Sequence, residues 1–283
     1  MGIGIALAGG GIRGIAHVGV LKALEEKNIK VAAIAGTSAG SIIATLYAMG
    51  YSPYYIYLLF KRYARDIINI RSKPIINGIT NFIRNNKIGI AGLSDGNEFE
   101  KMYDELARKK GFRLIGDIKM PLLVSAVDIG ESKEYIFTNC ASRKNIKDNY
   151  ITEIGIGRAV RASSSFPAIF CPCEYKNHIF MDGGVLDNIP ILPLKQIYNK
   201  KIIAVNFESD PVYNDYDIMN IIMKTLDIMG NKLSINSLKK SDFVLTVPTD
   251  GTGLIDVDKM DICYKYGYEI AIKNIDKIRK MLE

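Results

Sequence analysis

Apolar and polar positions alternate between two periods along the first fifty residues. Ile3–Ala8 is continuously apolar apart from Gly4, a length and character that predict a short strand buried on both faces. A glycine cluster follows. From Ile12 to Lys27 the apolar residues then recur at helical spacing. Val31–Ala35 repeats the strand pattern, Ser38–Met49 repeats the helical one, and Gly50 stands where a helix C-terminus favours glycine. Two strand–turn–helix units in succession predict a parallel sheet.

Beyond Gly50 the pattern loosens. Residues 51–115 read as mostly helical, interrupted at Lys73-Pro74, Asn77-Gly78 and Gly92–Gly96. Leu122–Ile129 and Glu134–Thr138 predict strands, joined as a hairpin across Gly130. A helix is expected over Thr152–Ala162, ended by Ser163-Ser164-Ser165-Phe166-Pro167. His178–Met181, Lys201–Phe207 and Phe243–Val247 read as strands, and Tyr216–Lys240 and Ile262–Glu283 as helices. With no repeat, low-complexity tract or linker, residues 1–283 read as one domain, variable at about 51–115.

Composition narrows the class. The hydrophobic content of 48% and charged content of 24% are those of a globular protein, and no apolar run is long enough to span a bilayer. Met1–Gly4 lacks the basic start of a signal peptide. Cys140, Cys171, Cys173 and Cys263 form neither a disulfide framework nor a zinc-site spacing. The expectation is a cytoplasmic chain with reduced thiols.

The net charge of +7 is unevenly placed. Residues 51–90 hold seven basic side chains, among them Lys61, Arg62 and Arg65, against Asp66 alone, interleaved with five tyrosines and Phe60. That mixture suits reversible contact with an anionic membrane, and it also fits nucleic acid, which is not the expected partner. An amphipathic helix with a solvated basic face produces the same pattern.

The chemistry concentrates in three glycine-flanked segments. Gly9-Gly10-Gly11-Ile12-Arg13-Gly14, between strand and helix, clusters backbone N–H groups at a helix N-terminus. Gly36-Thr37-Ser38-Ala39-Gly40 has the form of a nucleophile elbow, in which small neighbours let a strained turn present Ser38. A serine N-cap explains Ser38, but not small residues on both sides. A serine nucleophile needs a base, and the chain has only two histidines. His17 falls inside the first helix, and His178 lies within a strand. Asp182 in Asp182-Gly183-Gly184 is the better candidate, although Asp-Gly is also a common turn signal.

Taken in order, GxGxxG, GxSxG and DGG resemble the signature of the patatin-like phospholipase family. The text around them, Gly14–Leu21 and Arg161–Phe170, is similar to bacterial members allied to neuropathy target esterase. The resemblance covers about residues 3–207. It implies a three-layer α/β/α sandwich with a mainly parallel sheet, and lipid acyl hydrolase activity of phospholipase A or lysophospholipase type. It further implies a Ser38–Asp182 dyad and an oxyanion hole in the Gly9–Gly14 loop, chiefly the Gly10 and Gly11 N–H groups. Arg13 would reinforce that hole or meet a lipid phosphate. The dyad needs no metal or cofactor.

Two other readings compete. Gly9, Gly11 and Gly14 also fit a dinucleotide fingerprint, but the second strand ends at Ala35-Gly36-Thr37 without the acid that binds a ribose. A catalytically silent lipid-binding or regulatory protein would use the basic 51–90 stretch, yet none of the three motifs is degraded.

Overall fold

The computed structural model describes residues 2–69, 94–140, 148–167, 169–208 and 218–283. The breakers Lys73-Pro74 and Asn77-Gly78, and the basic residues Arg71, Lys73, Arg84 and Lys87, lie outside them.

Strand β1 (Ile3–Leu7) is buried at every position, the mark of a central strand covered on both faces. It pairs in parallel with β2 (Val31–Thr37) and, on its other edge, with β8 (Ile202–Phe207), which pairs in parallel with β9 (Phe243–Val247). On the far side, β2 pairs in parallel with β3 (Leu122–Asp128), and β3 with the antiparallel β4 (Lys133–Thr138). The short β5 (Tyr150–Ile151) closes that edge. The sheet order is β5-β4-β3-β2-β1-β8-β9, and the hairpin of β6 (Cys173–Tyr175) and β7 (His178–Asp182) joins it through β3. The mainly parallel sheet flanked by helices is the architecture the strand–turn–helix pattern predicts.

One detail of register decides where the chemistry sits. Strand β4 covers the edge of β3 from Leu123 to Asp128, so β2 and β7 must share the other edge. Strand β2 runs parallel to β3 and ends with Thr37 opposite Ser125. Strand β7 runs antiparallel and ends with Asp182 opposite Ala126. Their C-terminal ends therefore meet head-on at successive residues of β3, about 3.3 Å apart along the strand.

Helix α1 (Ile15–Glu26) follows β1 through a 3₁₀ turn at Gly11–Gly14, and α2 (Ala39–Ala48) follows β2. Gly50, at φ +80°, ends α2 as expected. Helices α3 (Pro53–Asn69) and α4 (Asn97–Lys109) come next, and α5 (Ile156–Ser163) packs against α4, β3 and β7. The helix expected from Thr152 begins only at Ile156. Gly155 is extended, and the backbone around it bonds instead to Arg113 and Ile115. Helix α6 (Ile191–Ile197) packs on β1, β2 and β8, and α7 (Ile218–Leu238) packs against α6 and the turn after β7. The C-terminal helix divides at Asn274 into α8 (Met260–Lys273), packed on α1, and α9 (Ile275–Leu282). Among the described residues no helix is long and apolar enough to cross a membrane.

Candidate active site

Ser38 stands between β2 and α2 at φ 52° and ψ −125°, a conformation that L-residues avoid. The turn survives because its surroundings allow nothing else. A Cβ at Gly40 would lie 2.3 Å from the Leu7 carbonyl oxygen, so the elbow sits against β1 with no room for a side chain. The Ser38 N–H donates to Ser163 Oγ at 3.1 Å, and the Ser38 carbonyl accepts from Ser41 Oγ at 2.7 Å and, more weakly, from Ser164 Oγ at 3.4 Å. The serine run at 163–165, which reads in the sequence only as a helix breaker, thus clamps the elbow's backbone.

Asp182 arrives head-on from β7 and is buried. Its Oδ1 accepts the Gly184 N–H at 2.8 Å, while Oδ2 is buried with no partner at hydrogen-bonding geometry. The Ser38 hydroxyl is the side-chain group that acts on this carboxyl, and it favours the ionised form. Burial acts in the opposite sense and outweighs both hydrogen bonds, so the Asp182 pKa is pushed up from 3.8 to about 6.

The glycine loop faces the same space. Gly9 N–H donates to Asn188 O at 3.0 Å, Ile12 N–H to Leu254 O at 2.8 Å, and Arg13 N–H to Gly10 O at 3.2 Å. The amides of Gly10 and Gly11 have no partner among the described residues. Gly11 is at φ +56°, and a Cβ there would fall 2.2 Å from the Leu254 carbonyl oxygen. A glycine is therefore required on both counts.

Arg13 stands behind the glycine loop and does not line the cavity. It is 4% exposed, its Nη2 pairs with Asp227 Oδ1 of α7 at 2.6 Å, and its Nε donates to Gly10 O at 3.3 Å. The guanidinium also lies 5.5 Å from the centre of the Phe207 ring. Arg13 braces the loop from behind, and no feature of the sequence flags its partner Asp227, 214 residues away.

Neither histidine reaches the serine–carboxyl pair. His17 is fully buried, its Nε2 is 2.8 Å from Ala8 O, and burial lowers its pKa to about 4, so the ring is neutral and braces the strand ahead of the loop. His178 sits at the opposite end of β7 from Asp182, with Nδ1 2.7 Å from Asp128 Oδ2.

Ser38, Asp182, Gly10 and Gly11 open onto one cavity with about 1200 Å³ of empty space, part of it continuous with solvent. Ile42, Phe60, Phe166, Phe170, Leu226 and Met229 make the rest of its wall mostly apolar. Such a wall accommodates hydrocarbon beside one small polar corner. Helix α3 contributes its apolar side to this wall, while Arg62 and Arg65 are exposed. Lys61 is engaged elsewhere, paired with Asp261 of α8 at 2.6 Å.

The profile of the patatin-like phospholipase family matches residues 5–195, which takes in the glycine loop, the elbow and the Asp182 turn. The chain belongs to the patatin-like phospholipase family. It is 31% identical to YqhO of Bacillus subtilis over 208 residues, 70% of this chain and 68% of that one. It is 27% identical over 297 residues to lysophospholipase NTE1 of Meyerozyma guilliermondii, covering 95% of this chain but 19% of the fungal protein. The chain thus spans about a fifth of the length of that relative. VipD of Legionella pneumophila superimposes with a TM-score of 0.58 at 14% identity, over 98% of this chain and 67% of VipD, a likeness of fold alone.

Proposed function

We propose that the chain hydrolyses carboxylic esters of phospholipids or lysophospholipids, with Ser38 as nucleophile and Asp182 as base. Ser38 Oγ attacks the ester carbonyl, and its proton passes to Asp182 Oδ2. The Gly10 and Gly11 N–H groups donate to the oxyanion that forms, which requires them about 3 Å from that oxygen. The intermediate collapses, the alcohol departs with the proton from Asp182, and the acyl group remains on Ser38. Water then attacks the acyl-enzyme and gives a proton to Asp182, and the released serine oxygen takes it back.

The observation that carries the reading is the Asp182 carboxyl. A buried carboxyl whose second oxygen has only the hydroxyl of a strained serine acting on it is expensive to maintain unless it is used. A pKa of about 6 lets it act as a base near neutral pH without a histidine. The apolar cavity wall supports an acyl chain as the group bound, and the names of the fungal relatives support a lysophospholipid among the substrates. Exposed Arg62 and Arg65 on α3, beside the wall of the same cavity, support reversible contact with an anionic membrane from the cytoplasm.

The test is mass spectrometry of lipids from defined phospholipid vesicles, combined with fluorophosphonate labelling, for wild type and Ser38→Ala. Free fatty acid and label that both require Ser38 support the proposal. Equal fatty acid release by the variant overturns it.

A further inference from the structure

Helix α7 reverses the usual pattern of a surface helix. Its solvent side carries Ile221, Ile222, Ile228, Met229, Leu233 and Ile235, each between 38% and 51% exposed. A helix that meets only water on that side turns such residues inward. The side turned to the protein carries Asp227, Gly230, Asn231 and Ser234 instead, beside Leu226 and Leu238.

The inward side is fixed by what it meets. Asp227, the one acid of the helix, pairs with the buried Arg13 at 2.6 Å. Gly230 is buried, and a Cβ there would lie 3.6 Å from the Gly184 carbonyl oxygen in the turn after β7. Ser234 is buried too, its Oγ donating to Gly230 O at 2.7 Å. The helix cannot roll its isoleucines inward without taking Asp227 away from Arg13 and leaving a buried guanidinium without its acid.

The surroundings of the apolar face say what it meets. It is continuous with the cavity, because Leu226 and Met229 line the wall and Met229 is also half exposed. An apolar path therefore runs from the outer face of the helix to the space beside Ser38. The face is also basic. Lys232 is exposed within it, Lys239 and Lys240 are exposed just past the helix end, and α7 presents no exposed acid. Ile221, Ile228 and Ile235 recur at seven-residue spacing, which would suit a second helix. Lys232 argues against that partner. It stands four residues after Ile228, three after Met229 and three before Ile235, so it is their neighbour on the helix surface. A protein seated on the isoleucines would bury its ammonium, which is costly. At a lipid surface the stem lies along the apolar patch while the ammonium reaches the phosphates.

We propose that the outer face of α7 is a lipid-docking surface, which seats Ile221, Ile228 and Ile235 in the headgroup–acyl boundary of an anionic membrane. Docking there brings the cavity against the bilayer, so that an acyl chain passes along Met229 and Leu226 toward Ser38. The inference rests on the proposed lipid ester hydrolysis and names the surface through which its substrate arrives.

The chain contains no tryptophan, so a single introduced one is the sole reporter of its own surroundings. The first readout places Ile228→Trp, or Leu114→Trp at an exposed position outside α7, in full-length Ser38→Ala protein, which keeps the vesicles intact. With vesicles of mixed phosphatidylcholine and phosphatidylglycerol, the emission of Ile228→Trp should shift to the blue and be quenched by brominated acyl chains. Leu114→Trp should do neither. The second readout is vesicle co-sedimentation. Ile228→Glu/Ile235→Glu should weaken binding at least about tenfold, since two apolar contacts are lost and two like charges face the phosphates. Lys232→Gln, a milder change, should weaken binding to the mixed vesicles about fivefold and to pure phosphatidylcholine hardly at all. In the otherwise wild-type chain the same changes should lower phospholipid turnover and spare p-nitrophenyl butyrate.

An Ile228→Trp emission that vesicles leave unmoved, or glutamate variants that bind like wild type, overturns the proposal. So does a blue shift that grows with protein concentration in the absence of vesicles and accompanies a dimer in sedimentation, which would give the face to a second copy. If wild type releases no fatty acid while Ile228→Trp reports insertion, the hydrolase reading fails and the docking surface stands.

Discussion

Replacing Asp182 with asparagine separates catalysis from stability in a way the geometry makes quantitative. Asn retains an oxygen to accept the Gly184 N–H, now held at 2.8 Å, but offers no base to Ser38. In wild type, burial raises the carboxyl from 3.8 to about 6, a difference worth about 3 kcal/mol between its protonation states. The sign follows from linkage. A raised carboxyl contributes its stability below the unfolded pKa and loses it as pH rises through the folded one, so wild type weakens between about pH 4 and 6. Asp182→Asn has no such proton to lose. Its thermal midpoint should rise relative to wild type across that window by about 6–9 °C, taking 2–3 °C per kcal/mol for a chain this long.

The same pKa sets the acid side of the rate profile. With a value of about 6, about nine-tenths of Asp182 is ionised at pH 7 and about one-tenth at pH 5, so kcat/KM should drop about tenfold between them. An ordinary aspartate would stay more than about nine-tenths ionised at pH 5, and the rate would hardly change. The assays are scanning fluorimetry at pH 4.5 and 8 and esterase kinetics from pH 4.5 to 8. An Asp182→Asn protein that keeps substantial turnover, or whose midpoint advantage is the same at both pH values, refutes the argument that this carboxyl is a dry base.

Other expectations follow from neighbouring contacts. Ser38→Ala and Ser38→Gly should both be inactive and unlabelled by fluorophosphonate, and Gly should be the more stable by about 1 kcal/mol because it accepts φ 52° without strain; equal melting of the two would show the elbow is not strained. Gly11→Val should lose activity on soluble esters and phospholipids alike, since its Cβ would strike Leu254 O, and wild-type rates would place the oxyanion donors elsewhere. Arg13→Ala should destabilise by about 3 kcal/mol by stranding Asp227, with the ratio of phospholipid to soluble-ester turnover unchanged; a selective phospholipid loss would restore a phosphate-reading role. His178→Gln should keep its turnover, because its ring meets Asp128 rather than Ser38, whereas loss of a triad base lowers kcat by several orders of magnitude.

Much of this was legible in the chain because it depends on local order. The strands Ile3–Leu7, Val31–Thr37 and Phe243–Val247 stand where the apolar runs predict them. The elbow and glycine loop are legible because close backbone approach excludes side chains, and that leaves glycines in the text. Long-range pairing leaves no such trace. The hairpin strand β6 and helix α6 are short, three and seven residues, and too brief for a period to show. Arg13 reads as a surface cation until its partner on α7 is known, and Lys61 until Asp261 is.

Placing the proposed base on a strand that meets the strand of the proposed nucleophile end to end has a consequence for how the site tolerates change. A histidine on a loop can follow a moving serine, because its ring reaches across a gap. Asp182 has a shorter reach than a histidine and a backbone fixed by β3, so its approach to Ser38 is set by sheet register. A one-residue slip of β7 would also turn Asp182 to the other face of the sheet. The burial that raises its pKa and the rigidity that aims it therefore have one source, the packed middle of the sheet. Mutations that loosen β7, such as Phe180→Ala in the buried core, should lower the Asp182 pKa by admitting water and lower kcat by misaiming the carboxylate. The acid side of the rate profile would then move downward together with the maximal rate. A variant that loses kcat while its acid limb stays near pH 6 would show that burial and aim are separable, and that the register argument is wrong.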